Sequence, residues 1–190
     1  MKIGVLGLQG DVREHERALD SAGATPVVVR RPDAVASVDA LILPGGESTT
    51  IGKLLDRFGL LAPIAERAGG GMPLYGTCAG MILMASEIVG PQGAPWRLGV
   101  MDVAVRRNGY GRQTESFETD LDVGSLEEPF RGVFIRAPVV ERVGQGVEVL
   151  ATWDGRPVLV RQGRMLASSF HPEMTGDARI HALFVSMHES

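Results

Sequence analysis

This chain of 190 residues has one cysteine, and its aromatic residues make up only 5% of the sequence. A single cysteine excludes an internal disulfide and points to a reducing, cytoplasmic setting. The scarcity of aromatics leaves core filling to aliphatic side chains. No apolar run approaches the ~20 residues of a membrane-spanning helix, so no membrane association is expected. Positive charge is not in excess, with 19 Lys and Arg against 23 Asp and Glu and a net charge of −4. Without a basic stripe to neutralise phosphates, nucleic-acid binding is not expected, and Arg30-Arg31 and Arg106-Arg107 are too short to supply one. The histidines His15, His171, His181 and His188 show no metal-ligand spacing and there is no second cysteine, so no metal site is expected. No phosphate-binding G-x-x-x-x-G-K-[ST] occurs. Gly4, Gly7 and Gly10 have the wrong spacing for a dinucleotide loop, and no cofactor is expected. Met1 to Gly7 enters a strand at once, with no signal-peptide pattern.

Apolar residues are 44% and charged residues 22% of the chain, the proportions of a globular protein, and the length suits a single domain over residues 1–190. Ile3–Leu8 reads as a strand buried on both faces. Asp11 is placed to cap a helix through Ala22, with Val12, His15, Leu19 and Ala22 on one face. Strands follow at Thr25–Val29 and Asp39–Leu43. Ser48 or Thr49 can cap a helix whose apolar positions Ile51, Leu54, Leu55 and Phe58 recur at helical spacing, and Leu60–Ala68 continues as a short helix. This alternation predicts an α/β fold with an open, mostly parallel sheet and helices on both faces. From Leu98 the texture becomes β-rich, with short strands expected at Val100–Val105, Glu115–Leu121, Gly132–Arg136, Val147–Trp153, Val158–Arg161 and Met165–Phe170. These are the remaining sheet strands plus an antiparallel excursion. Val89–Arg97 reads as a surface connection. A helix from Asp177 to Met187 closes the chain, with Ile180, Leu183, Phe184 and Met187 on its buried stripe.

The cysteine lies in Tyr75-Gly76-Thr77-Cys78-Ala79-Gly80, between an apolar run and a run of helix formers extending to Glu87. That is the strand, sharp turn and helix of a nucleophile elbow, G-x-C-x-G. The following helix directs its N-terminal N–H groups and positive dipole end at the sulfur, which favours a thiolate. A buried, inert cysteine is the competing reading. Near the other end, Ser169-Phe170-His171-Pro172-Glu173 follows an apolar strand. In an extended segment His171 and Glu173 share one face, with Pro172 keeping the link non-helical. An imidazole beside a carboxylate is the base and orienter of a triad, although a solvated surface pair gives the same tripeptide. Pro44-Gly45-Gly46-Glu47-Ser48-Thr49 ends a parallel strand and opens a helix, where glycines can present backbone N–H groups to an oxyanion. A plain turn is the alternative there. Ser48 lacks the second glycine of a nucleophile elbow. Arg107-Asn108-Gly109-Tyr110-Gly111-Arg112-Gln113 and Phe134-Ile135-Arg136-Ala137-Pro138 set cations beside turns, and an arginine fork suits a substrate carboxylate. His15, His181 and His188 are read as helix residues with no chemical duty.

Taken with Leu6-Gly7-Leu8-Gln9-Gly10, these segments resemble the glutaminase subunits of pyridoxal 5′-phosphate synthases, which are triad-type (class I) glutamine amidotransferases. The resemblance spans essentially the whole chain and implies a flavodoxin-like, class I amidotransferase-like sheet. It also implies that Cys78, His171 and Glu173 hydrolyse L-glutamine to glutamate and ammonia through a cysteinyl thioester. The backbone N–H groups of Gly46 and Ala79 would stabilise the oxyanion. Gly46, Glu47, Ser48, Arg107, Ile135 and Arg136 would bind glutamine, and Gln9 would lie in a partner-responsive loop. The implied partner is a synthase subunit of (β/α)8 barrel fold in a large hetero-oligomer, which takes the ammonia to make pyridoxal 5′-phosphate. A cysteine hydrolase or peptidase would share the elbow without requiring the His-Pro-Glu segment and the Gly-Gly-Glu-Ser turn. A non-catalytic binding module would be free to lose Cys78, His171 or Glu173.

Overall fold

The computed structural model describes residues 1–90, 96–109 and 116–188. In chain order it contains β1 (Lys2–Leu6), α1 (Val12–Ser21), β2 (Thr25–Val29), α2 (Pro32–Ala36), β3 (Ala40–Leu43), α3 (Ser48–Arg57), α4 (Leu61–Gly69), β4 (Leu74–Thr77) and α5 (Ala79–Met84). There follow β5 (Ala85–Val89), β6 (Met101–Arg106), β7 (Ser116–Leu121), β8 (Phe130–Ile135), β9 (Val139–Val143), β10 (Glu148–Trp153), β11 (Arg156–Gln162), β12 (Met165–Ser168), a 3-10 turn at Pro172–Met174 and α6 (Arg179–Ser186).

The main sheet runs β10-β11-β12-β4-β3-β1-β2. The pairs from β12 through β4, β3 and β1 to β2 are all parallel, while β11 is antiparallel to both of its neighbours. The expected α/β class, with its mostly parallel sheet and antiparallel excursion, is therefore present. Side chains that alternate along a strand sort onto its two faces. On β3, Leu41 and Leu43 enter one core cluster, whereas Ala40 and Ile42 enter the other. The first cluster takes in α2, α3, α4 and α5 through Val35, Ile51, Leu55, Ile64 and Leu83. The second takes in α1, α6 and the β7–β8 hairpin through Leu19, Ile180, Phe184, Leu121 and Phe134. A separate sheet, β5-β6-β9, packs Met101, Val103 and Val140 onto the first core. Among the described residues no helix is long and apolar enough to cross a membrane.

Several local expectations differ. The helix after Cys78 stops at Met84 because Ala85 turns to ψ 141° and pairs with Met101, so Ser86-Glu87 belong to a strand that the β-branched Ile88 and Val89 continue. The first turn of α3 is capped by Glu47, whose carboxylate accepts from the Thr49 and Thr50 N–H groups at 3.0 and 2.7 Å, rather than by Ser48 or Thr49. Asp11 stands at the N-cap of α1 but its side chain makes no cap bond there. The C-terminal helix begins at Arg179, two residues late, because Asp177 uses Oδ1 to accept the Arg179 N–H at 2.9 Å. His171 and Glu173 are not one extended face: Pro172 starts a 3-10 turn that carries Glu173 back beneath the imidazole. Helix α2, opened by a proline at its first turn, and strands β5 and β9 were not anticipated. Tyr110–Glu115 and the Pro91–Pro95 part of the expected connection lie outside the described residues.

Candidate active site

Because β1, β3, β4 and β12 run parallel, their carboxyl ends deliver Gln9, Gly45-Gly46, Cys78 and His171 to one edge of the sheet, where open α/β sheets bind ligands. The elbow forms because two glycines let three backbones touch. A Cβ on Gly76 would sit 2.5 Å from the Gly80 carbonyl carbon, and one on Gly80 would sit 2.9 Å from the Leu43 carbonyl carbon. Cys78 itself adopts φ 49° and ψ −100°, a strained conformation for a residue with a Cβ. Its N–H is held by the Ser168 carbonyl at 2.8 Å, which fixes the elbow against β12. Of the four non-glycine residues with positive φ among those described, Cys78, Asn108 and Arg136 line a single cleft; the fourth, Asp154, does not. Strain concentrates at functional sites because it persists only where surrounding structure enforces it.

That cleft has a volume of about 400 Å³, within the range of small-molecule sites. Its walls include Gln9, Gly46, Glu47, Ser48, Cys78, Arg107, Ile135, Arg136 and His171, so most of the residues singled out in the sequence converge there. Hollows of similar size at Asp122–Thr152 and at Asp39–Arg164 contain no cysteine. Glu173 is not a wall residue: it is buried and accepts from His171 Nδ1 at 2.8 Å. Ala79 lies at the start of α5, where its N–H has no place in the intrahelical ladder. The Ser48 hydroxyl is buried with no partner among the described residues and is therefore free to bond a ligand. Arg107 reaches Glu47 at 2.8 Å, joining one wall to the cap of α3. Gln9 Oε1 accepts the Glu47 N–H at 3.1 Å and so bridges the loop after β1 to the loop carrying Gly46.

The electrostatics favour a charged base. Burial alone would lower the His171 imidazole, but the neighbouring Cys78 and the hydrogen bond to Glu173 outweigh it and raise the group to about 10. Burial raises the Glu173 carboxyl, against the opposing hydrogen bond from His171. The four backbone and hydroxyl bonds from Thr49 and Thr50 outweigh burial at Glu47 and lower it to about 2. Thiol, imidazole and carboxylate in sequence are the parts of a covalent acyl-transfer site. Asp11, His171 and Glu173 bring ligand-type atoms within 4.8 Å of one another, but His171 Nδ1 faces both carboxylates and is already bonded to Glu173, so it carries a proton there.

Sequence reasoning missed three participants. Asp11, taken as a helix cap, directs Oδ2 to within 3.7 Å of His171 Nδ1. His15 and His181, read as having no duty, are fully buried and bonded to each other at 2.9 Å, with His15 Nε2 3.6 Å from Glu173 Oε1. A buried histidine in a helix stripe was the available signal, but nothing local tied it to a residue near the C-terminus.

Comparison with known proteins shows the family and the fold. The profile of the SNO glutamine amidotransferase family matches residues 5–190. A protein of Pelotomaculum thermopropionicum named pyridoxal 5′-phosphate synthase subunit PdxT is 58% identical over 186 residues, covering 97% of this chain and 94% of the relative. A Streptomyces avermitilis protein of the same name is also 58% identical, covering 97% of this chain and 92% of the relative. A crystal structure of a glutamine amidotransferase superposes with a TM-score of 0.93 at 53% identity, covering 99% of each chain. A chain of PurLQS from Thermotoga maritima, at 19% identity and a TM-score of 0.65 over 99% of this chain and 94% of that one, shares the fold. The chain belongs to the SNO glutamine amidotransferase family.

Proposed function

We propose that residues 1–190 act as one glutamine amidotransferase domain, the glutaminase subunit of a pyridoxal 5′-phosphate synthase. The observation that carries this reading is the strained Cys78 at the sheet edge, lining one cleft with a His171 that Glu173 holds at 2.8 Å. Cys78 Sγ attacks the side-chain amide carbon of L-glutamine. His171 Nε2, the nitrogen not used by Glu173, takes the thiol proton and returns it to the leaving ammonia. Glu173 fixes the tautomer and stabilises the imidazolium. The N–H groups of Gly46 and Ala79 bond the tetrahedral oxyanion. Water then attacks the thioester, and glutamate leaves with Cys78 restored as the thiol. Ser48, Glu47, Arg107, Ile135 and Arg136 hold the amino-acid end of the substrate. The names of the relatives support a place as one subunit of a pyridoxal 5′-phosphate synthase. The ammonia passes to a synthase subunit, for which we propose a (β/α)8 barrel within a hetero-oligomer. Gln9 reports docking of that partner through its bond to the Glu47 N–H. A catalytic free thiol suits the reduced cytoplasm.

The test is ammonia release from glutamine by wild-type chain and by Cys78→Ala, each with and without the synthase subunit. Release by wild type, stimulated by the partner and lost in the variant, is the expected result. A Cys78→Ala protein that still releases ammonia would defeat the assignment. Cleavage of an ester or peptide panel in preference to glutamine would favour a general cysteine hydrolase.

A further inference from the structure

Next to the Glu173 carboxylate lies a set of polar side chains that the proposed reaction leaves unused. His15 on α1 and His181 on α6 are both fully buried. His15 Nδ1 is 2.9 Å from His181 Nε2, and His15 Nε2 is 3.3 Å from Thr77 Oγ1 and 3.6 Å from Glu173 Oε1. Hydrogen-bond accounting places the protons. His181 Nδ1 is buried with no partner among the described residues. Orphaned buried N–H groups are rarer than under-used acceptors, so this nitrogen is the bare one and His181 donates from Nε2 to His15 Nδ1. The proton of His15 is then on Nε2, facing Glu173 and Thr77. The opposite arrangement would strand an N–H on His181 and set a lone pair of His15 against a carboxylate oxygen. Two independent constraints thus select the same tautomer.

We propose that His15, locked as the Nε2–H tautomer by His181, is a positioning residue whose N–H, shared with Thr77, supports the buried Glu173 carboxylate and through it the orientation of His171. This deepens the glutaminase reading and rests on the triad assigned there. A buried carboxylate needs donors. Glu173 Oε1 accepts from His171 at 2.8 Å and faces His15 Nε2 at 3.6 Å, while Oε2 has no partner among the described residues. His15 sets a neutral N–H beside Oε1 without adding a cation that would compete with His171 for Glu173. Burial, with His181 and His171 nearby, holds the His15 imidazole well below its ordinary range, which keeps it neutral. The other titratable groups facing the network are Asp11, 3.7 Å from His171, and Tyr75, whose ring lies 5.9 Å from that of His181.

Imidazole ¹⁵N shifts of the labelled wild-type chain test the tautomers directly, since there are only four histidines. Nε2–H on both His15 and His181 is expected, and Nδ1–H on His15 overturns the proposal. The functional arm uses His15→Leu, which keeps bulk and removes the donor. With the synthase subunit present it lowers kcat about 10-fold at unchanged KM, the order expected for losing a donor beside a buried charge. It also raises the midpoint of the pH profile for Cys78 alkylation by about one pH unit. His15→Gln, whose amide nitrogen reaches the same position, restores most of both. In a Glu173→Gln background, His15→Leu has no further effect. A folded His15→Leu chain with the wild-type alkylation profile, or effects that simply add in the double variant, would refute the proposal. Alkylation reads the only cysteine and needs no glutamine, so it stays interpretable if wild type releases no ammonia.

Discussion

Replacing Gly45 by alanine puts one methyl group where the structure has none to spare. The added Cβ would lie 2.9 Å from His171 Nδ1 and closer still to Cε1. Ordinary carbon contacts begin near ~3.5 Å, so the imidazole must retreat by on the order of 1 Å. The backbone at Gly45 does not demand glycine, because its φ lies outside the left-handed region. The strain therefore falls on the ring rather than on the turn. His171 is 4% exposed and its main-chain N–H is bonded to the Val133 carbonyl at 2.8 Å, so the residue cannot shift as a body. It can yield only by rotating its ring, which stretches the 2.8 Å bond to Glu173 and misaims Nε2 from Cys78. A misplacement of that size costs about 100-fold in rate, or about 2.7 kcal/mol of barrier. Steady-state ammonia release with the synthase subunit present should show a kcat loss of that order, and KM should change little. Gly69→Ala is the control: it has open space around its Cβ at the end of α4 and should leave kcat unchanged. A Gly45→Ala enzyme within threefold of wild-type kcat would refute the argument that close approach at this turn aims the base.

Two further outcomes follow from the charged and capped groups. Glu47→Ala removes the acceptor for the Thr49 and Thr50 N–H groups, so calorimetry should show a loss of about 1 kcal/mol, or about 3 °C in Tm; an unchanged Tm would mean water caps α3 equally well. Burial lowers His181 to about 4 from an ordinary 6.5, so the unfolded chain binds this proton first as pH falls. Stability is full above the unfolded value and is lost between about 6.5 and about 4, by about 3 kcal/mol at about 1.4 kcal/mol per pH unit. Denaturant melts of His181→Phe should have a correspondingly flatter acid limb, and a wild-type slope would show that His181 is not the group responsible.

What could be read from the sequence was local. Gly76, Cys78 and Gly80 announce a sharp turn because strand, turn and helix are contiguous, and the glycine contacts show why both are required. Ile3 to Leu8 reads as a strand buried on both faces and Asp39 to Leu43 as a strand; in the fold β1 ends at Leu6 and β3 spans Ala40–Leu43, each buried because both faces meet helices. Non-local choices were hidden. Ala85 to Glu87 continues the run of helix formers after Cys78, yet pairing with β6 overrides that local reading, since a strand partner is invisible in a local window. Ser48 and Thr49 have the better capping side chains, but only Glu47 lies where its carboxylate reaches two N–H groups and also meets Arg107 from a distant loop. His15 and His181 are separated by 166 positions and meet only because α1 and α6 pack on the same sheet face.

The two faces of the sheet divide the work at this site. Cys78 is set by the face that carries α3 and α5, through contacts of backbone with backbone at Gly80 and Leu43. Glu173 is set by the other face, where α1 and α6 bring His15 and His181. His171 alone is held from both sides: the Gly45 loop bounds its ring, and Glu173 bonds its Nδ1. A perturbation of the first face should therefore change the aim of the nucleophile while leaving the His171–Glu173 bond in place. A perturbation of the second should change proton affinity while leaving the elbow intact. The pH profile of Cys78 alkylation separates these cases, because a shifted midpoint reports the carboxylate side and a changed plateau rate at constant midpoint reports the elbow side. If Gly80→Ala and His15→Leu altered the profile in the same way, the site would be a single mechanical unit, and the division between faces would be wrong.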